Sequence, residues 1–295
     1  MVGVVAFAVG MAAGWAFDEP QNAPGATLSW NPRAAASYLD GRMDWWVQWP
    51  NAARDHNTAC VSCHTAVPYA LARPALRVSL GEHDLAVPEG KLLANVVKRV
   101  WLWKEVEPFY PDQTIGLPKS SESRGSEAIL NALILATRDA HEGVLTDDAR
   151  QAFDNLWPLQ FKAGELKGGW AWLNFHLEPW ESSDSAYYGA TLAAIAVGSA
   201  PGAYSSTPDI QDQLKLLLDY LQRGADKESL FNRVMALWAS TKLQDCSHRN
   251  NVKRSSTPRS EPSRTMAGGR CLRSAHGSAL TRPQWTRRAM ALPQG

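Results

Sequence analysis

Cys60-Val61-Ser62-Cys63-His64 is the stretch of this chain whose residue types and spacing carry the most specific chemistry. Two thiols separated by two residues can bond covalently to the two vinyl groups on one edge of a porphyrin. The adjacent imidazole then lies under the ring, where it can take the axial position on iron. In 295 residues with four Cys and seven His, this order arises by chance about 0.001 times. Its rivals are a CxxC redox pair, half of a zinc site, and a structural disulfide. A zinc site calls for a second Cys/His pair nearby, and the sequence up to residue 244 offers none. A thioredoxin-like pair calls for a βαβ context, which the pattern lacks. The best-fitting reading is covalent haem c on Cys60 and Cys63, with His64 as an axial iron ligand. Met43, His56, His83, His141, His176 and Met235 are all available for the second axial position, and their spacing does not choose among them. Five-coordinate iron would suit ligand or peroxide chemistry, and six-coordinate iron electron transfer.

The elements that must hold this motif are helical. With 45% hydrophobic and 20% charged residues, the chain is not a disordered, collagenous, coiled-coil or polytopic membrane protein. Residues 1–17 are almost wholly apolar, a length that suits an export signal or membrane anchor better than a spanning helix. A linker rich in Pro, Asn and Gly follows over 18–32, and residues 33–86 form the haem attachment segment. Export agrees with haem c, whose covalent attachment is made outside the cytoplasm, so the expected location is periplasmic or extracytoplasmic, with or without a membrane tether.

Over 87–244 the apolar period is close to 3.6 residues. It predicts helices over Glu89–Glu105, with Leu92, Leu93, Val96, Val97, Val100 and Trp103 on one face, and over Ser126–Ala140. Thr146 caps the next helix, with Asp147 and Asp148 in its first turn. Further helices are predicted over Asp184–Val197, ending at Gly198, from a Thr207 cap with Pro208 first through Leu221, and over Lys227–Leu243. No strand alternation stands out, so the fold class is all-α.

Gln160, then Gly168-Gly169-Trp170, then Trp180-Glu181-Ser182-Ser183-Asp184-Ser185-Ala186-Tyr187-Tyr188-Gly189 lead into one of these helices. Here the chain resembles the terpenoid cyclase and protein prenyltransferase α/α-toroid superfamily. In its repeats, Gln…Gly-x-Trp turns close helix pairs, with the Gln capping a neighbouring helix and the Trp stacked beside it. From the CxxCH region through Lys242 the sequence is similar to bacterial haem-c proteins with a squalene-cyclase-like domain. The resemblance implies a partial α/α toroid with an N-terminal haem-c segment.

The net charge of +1 hides two unlike pieces: residues 1–244 carry 20 basic and 27 acidic residues, and residues 245–295 carry 10 basic and 2 acidic. A basic disordered arm is the default reading of the second piece. Read one base earlier, however, codons for Asp245–Pro262 permit L-L-T-P-E-Q-R-E-A-I-I-N-A-A-E-R-A-Q. Those from Ser263 permit P-D-D-G-G-W-S-L, and later ones S-P-V-D-T-Q-S-D-G-F-A-T-G. This text holds a capped amphipathic helix and a second Gln, Gly-Gly-Trp pattern about 100 residues after the first, two repeats of roughly 50 residues. The tail therefore reads as frame-shifted, which makes Cys246, His248, Cys271 and His276 accidental and removes the case for a nucleic-acid partner. An unfinished toroid would also leave an apolar helix face uncovered.

The expected function is that of an exported c-type cytochrome, serving electron transfer to a redox partner protein or haem-dependent oxidation of a small apolar ligand held in the toroid. A cyclase would need grouped carboxylates of the D-x-D-D kind, and only Asp184 and Asp147-Asp148 come near it. A third possibility is a binding scaffold with a haem sensor, its pocket drawn from Glu178, Glu181, Asp184, Tyr187 and Tyr188. Sequencing the encoding DNA tests the frame: a single-base change near codons 243–245 should restore an open frame carrying the second repeat, and its absence defeats the idea.

Overall fold

The computed structural model describes residues 30–110 and 118–243. The apolar run 1–17, most of the linker 18–32 and the tail 245–295 lie outside the described residues. The described chain is all-α, with eight α-helices: α1 Pro32–Gln48, α2 Ala66–Leu80, α3 Val87–Trp101, α4 Lys119–Glu142, α5 Asp147–Leu156, α6 Ser185–Ser199, α7 Gln211–Gly224 and α8 Leu230–Lys242. None of these helices is long and apolar enough to cross a membrane.

Consecutive helices pair, and the pairs form two rows. In one row α1 lies beside α3 and α3 beside α5; in the other, α2, α4, α6 and α8 follow one another, with α7 packed on α6. Residue choice explains the rows. In α4, the run from Ala128 to Ala136 is buried on every side, as is α6 from Tyr187 to Val197. A helix apolar all round belongs inside, with neighbours on every face. Ala190, Ala193, Ala194 and Ala196 keep α6 thin enough for the axes on either side to close in. By contrast, α3 buries Leu92, Val96 and Val100 on one stripe, and α5 buries Ala149, Ala152, Phe153 and Leu156. At the far end of the second row, Leu230, Val234 and Leu237 of α8 lie one or two turns apart and stand 76%, 55% and 68% exposed.

Polar side chains fix how the pairs join. Asp40 of α1 accepts from Tyr69 Oη at 2.7 Å and Arg73 Nε at 2.9 Å of α2. Asn155 of α5 donates to the Val100 carbonyl near the end of α3 at 2.9 Å. The deepest polar contact joins α3 to α4. Arg99 and Glu127 are wholly buried and paired through two hydrogen bonds. Two further donors of Arg99 reach Thr58 Oγ1 at 2.6 Å and the Glu107 carbonyl at 2.8 Å, and its guanidinium lies over the Phe109 ring.

The expected helices are present with shifted ends. The cap at Thr146 is as predicted, its hydroxyl accepting from the Ala149 amide at 3.3 Å. The fourth helix begins at Lys119 rather than Ser126, because its polar first turns are buried against partners: Lys119 pairs with Glu122, and Glu122 accepts from the Asn174 amide. Gly198 does not end α6. It lies inside the helix, where a Cβ would meet the Lys242 backbone at 2.5 Å, so its bareness admits the end of α8. Thr207 and Pro208 open a single 3-10 turn, without a side-chain cap bond, ahead of α7. A two-residue hairpin, Ala53–Arg54 against Thr58–Ala59, appears where no strand was expected. Its turn places His56 and Asn57 at φ 52°, the left-handed region in which Asn is among the few tolerated residues.

Removing one partner of a buried ion pair strands the other charge, a loss of about 3–5 kcal/mol. Arg99→Met should lower the unfolding free energy by that amount in urea titration, with part of it regained in Arg99→Met/Glu127→Leu. A loss under about 1 kcal/mol in the single variant would show that the pair does not hold α3 to α4.

Candidate functional site

The motif lies between the hairpin and α2, held by side chains of α3 and α1 and by its own Ser62. Asn95 of α3 grips the hairpin with a two-way amide bond, donating to the Ala59 carbonyl at 3.0 Å and accepting from the Ala59 amide at 2.7 Å. Trp46 of α1 donates its indole N–H to the Cys60 carbonyl at 2.7 Å. Ser62 turns its hydroxyl to the Thr65 amide at 2.7 Å, satisfying a donor that would otherwise be unpaired where α2 starts. The middle of C-x-x-C-H thus initiates a helix, and Cys63 and His64 occupy the turn before it.

Cys60, Cys63 and His64 line one cavity of about 400 Å³, together with Trp46, Phe109, Tyr110, Trp172, Phe175 and Glu181. That volume is within the roughly 300–1,000 Å³ of small-molecule and cofactor sites. The far wall comes from the segment 171–181. It lies close to α4 and α6 because two helical glycines leave space: a Cβ on Gly125 of α4 would be 2.0 Å from the Ala171 carbonyl oxygen, and one on Gly189 of α6 would be 2.3 Å from the Trp172 ring. The same segment turns back on itself, Leu177 and Glu181 exchanging backbone hydrogen bonds at 2.9 and 3.0 Å, and this delivers Glu181 to the motif.

Glu181 Oε1 accepts from the Cys63 thiol at 3.2 Å, and Cys63 Sγ is 3.7 Å from His64 Nδ1. The imidazole meets Trp46 edge-on at 5.8 Å between ring centroids and Trp180 on another side at 6.2 Å. Both cysteines are buried free thiols. Burial in this apolar wall pushes the Cys60 thiol up to about 12. Cys63 is pushed higher still, first by burial and then by the Glu181 carboxylate beside it. Both stay protonated at neutral pH, since burial outweighs any help from the start of α2.

Of the expected second axial ligands, none lines the cavity. Met43 is packed in the core of α1, His56 sits in the hairpin turn, His141 is in the last turn of α4, and Met235 packs on the core from α8; His83 and His176 are likewise absent from the wall. Asp184 leads α6, accepting from the Ser182 hydroxyl, and Asp148 accepts from Trp101, so neither reaches the cavity. Tyr187 donates to the Leu221 carbonyl and Tyr188 packs on Trp172, both as core residues. Glu181 is the one carboxylate among the described residues of the wall. It was only one of five pocket candidates by sequence, because 118 residues separate it from Cys63.

The turn residues Gln160 and Trp170 tie their segment to α5 and α7. Gln160 donates to the Gly168 carbonyl at 3.0 Å and the Gln213 carbonyl of α7 at 2.9 Å, and Trp170 donates to the Leu156 carbonyl at the end of α5 at 2.9 Å. Compared with protein-family models, curated proteins and solved structures, the chain matches none.

With Cys246 and Cys271 replaced by Ser, the two cavity thiols should react slowly with iodoacetamide at neutral pH and fully in urea. Fast labelling of the folded chain would contradict their protonated, buried state.

Proposed function

We propose that this is an exported c-type haem protein, in which Cys60 and Cys63 hold the porphyrin as thioethers and His64 is an axial iron ligand. The observation that carries the reading is the presence of both thiols and the imidazole on the wall of one largely aromatic cavity. The residues suit the group. The thiols are reduced and uncommitted to a disulfide, which thioether formation requires, and Trp46, Phe109, Tyr110, Trp172 and Phe175 offer apolar surface to a flat macrocycle. When bound, such a group supplies one-electron or oxygen chemistry tuned by its axial ligands and surroundings. The protein's part is to hold His64 between Trp46 and Trp180, to exclude water with the aromatic wall, and to present the Glu181 carboxylate as a hydrogen-bond acceptor on that wall. The roles that follow are electron transfer to a redox partner, or oxidation of a small apolar ligand admitted to the cavity.

The helical part reads as a segment of a squalene-cyclase-like α/α toroid. The two rows, α1-α3-α5 and α2-α4-α6-α8, support it, as do the bridging roles of Gln160 and Trp170. The open stripe Leu230, Val234 and Leu237 on α8 is an apolar face on which a further helix of such an array would pack. Protonation of a polyene has less support, because Asp184, Asp147 and Asp148 are all outside the cavity wall.

Produced with a leader and a haem-maturation system, the protein should keep its haem through acid extraction and give a c-type pyridine haemochrome spectrum. Cys60→Ser and Cys63→Ser should each shift that spectrum toward a single thioether, and the double variant should lose covalent haem. Absence of covalent haem from the unsubstituted chain would defeat the reading.

A further inference from the structure

We propose that in the chain without haem, Cys63 Sγ, His64 Nδ1 and a Glu181 carboxylate oxygen form a three-ligand site for a divalent transition-metal ion of the zinc class, its fourth position facing the cavity. This does not rest on the haem reading. It is a second use of the same wall, and the two exclude one another because a thioether sulfur cannot serve as a thiolate ligand.

The geometry carries the inference. One ligand atom from each of the three side chains lies within 4.8 Å of the other two, with Sγ 3.2 Å from Glu181 Oε1 and 3.7 Å from His64 Nδ1. Zinc–ligand bonds of about 2.0–2.3 Å in a tetrahedron put neighbouring ligand atoms roughly 3.3–3.8 Å apart. The two edges at sulfur need shifts of only a few tenths of an ångström, and the His64–Glu181 edge, within 4.8 Å, closes by rotation of the exposed imidazole and the half-buried carboxylate. The donor set points the same way. One sulfur, one imidazole nitrogen and one carboxylate oxygen suit zinc, cobalt or nickel rather than magnesium or calcium, which take oxygen shells. Three protein ligands with an open fourth position is the arrangement of reactive rather than purely structural zinc sites.

Each ligand is also held. Ser62 fixes the turn bearing Cys63 and His64, the Leu177–Glu181 backbone bonds fix the acid, and the ring contacts with Trp46 and Trp180 orient the imidazole. His64 is exposed and Glu181 half-buried, which leaves an entry path from solvent. Binding replaces the Sγ–H···Oε1 hydrogen bond by metal–sulfur and metal–oxygen bonds, and the thiol proton passes to water. The missing partner that the local sequence lacked is thus supplied by Glu181.

The test uses the full chain made without haem-maturation proteins and stripped of metal, in a Cys246→Ser/Cys271→Ser background that leaves Cys60 and Cys63 as the only thiols. Titration with Co²⁺ should produce a sulfur-to-cobalt charge-transfer band and tetrahedral d–d absorption at one ion per chain, and Zn²⁺ should displace it. Cys63→Ser should abolish the charge-transfer band, and His64→Ala and Glu181→Gln should each weaken binding at least tenfold. Cys60→Ser should keep the charge-transfer band. Circular dichroism of each variant, matched to the parent, separates ligand loss from unfolding. A band that survives Glu181→Gln at parental affinity, or one that needs Cys60, would show a bare CxxC site and overturn the proposal, as would the absence of any band in the folded parent. Failure of covalent haem attachment in cells bears on the haem reading alone and leaves this titration unaffected.

Discussion

The buried pair of Arg99 and Glu127 is the contact on which the rest of the molecule leans. A guanidinium with no exposure is tolerable only if its donors find partners, and Arg99 makes four hydrogen bonds to three separate parts of the chain: Glu127 in α4, Thr58 in the hairpin, and the carbonyl of Glu107. Burial still pushes the Glu127 carboxyl upward, with Arg99 working against that rise. The geometry of the charge network therefore dictates where the hairpin stops and where the 102–110 loop runs. Cys60 follows the hairpin by one residue, and Phe109 and Tyr110 come two and three residues after Glu107, so the near wall of the cavity is set from beneath by electrostatics.

The far wall is set by shape. Gly125 and Gly189 bring the 171–181 segment onto the bare backbones of α4 and α6, and the apolar uniformity of those two helices keeps them at the centre. The cavity is thus the space between a polar-anchored hairpin and a sterically docked loop, with an array of paired helices holding the two apart. Neither side alone would bring a carboxylate to the cysteine.

How much of this was readable depended on range. Helices whose apolar stripe is local, such as α3 and α5, announced themselves by period, and Thr146 announced its own cap. That Cys60, Cys63 and His64 share one surface was legible because they stand within five adjacent residues. The start of α4 was not: Lys119, Glu122 and Ser123 look solvent-facing until their partners at Asn174 and Tyr110 are known. Gly198 resembled a helix end because a chain passing close by is invisible along the sequence. Glu181 was one acid among many, and only the folded loop joins it to a thiol 118 residues earlier.

That separation has a consequence in time. At synthesis rates of about 5–20 residues per second, the interval between Cys63 and Glu181 is roughly 6–24 s. Throughout it the two cysteines belong to an unfinished chain that cannot yet have the acid, the aromatic far wall or the desolvation that later holds them protonated. In that interval both thiols stand open to solvent, and folding then closes the wall over them.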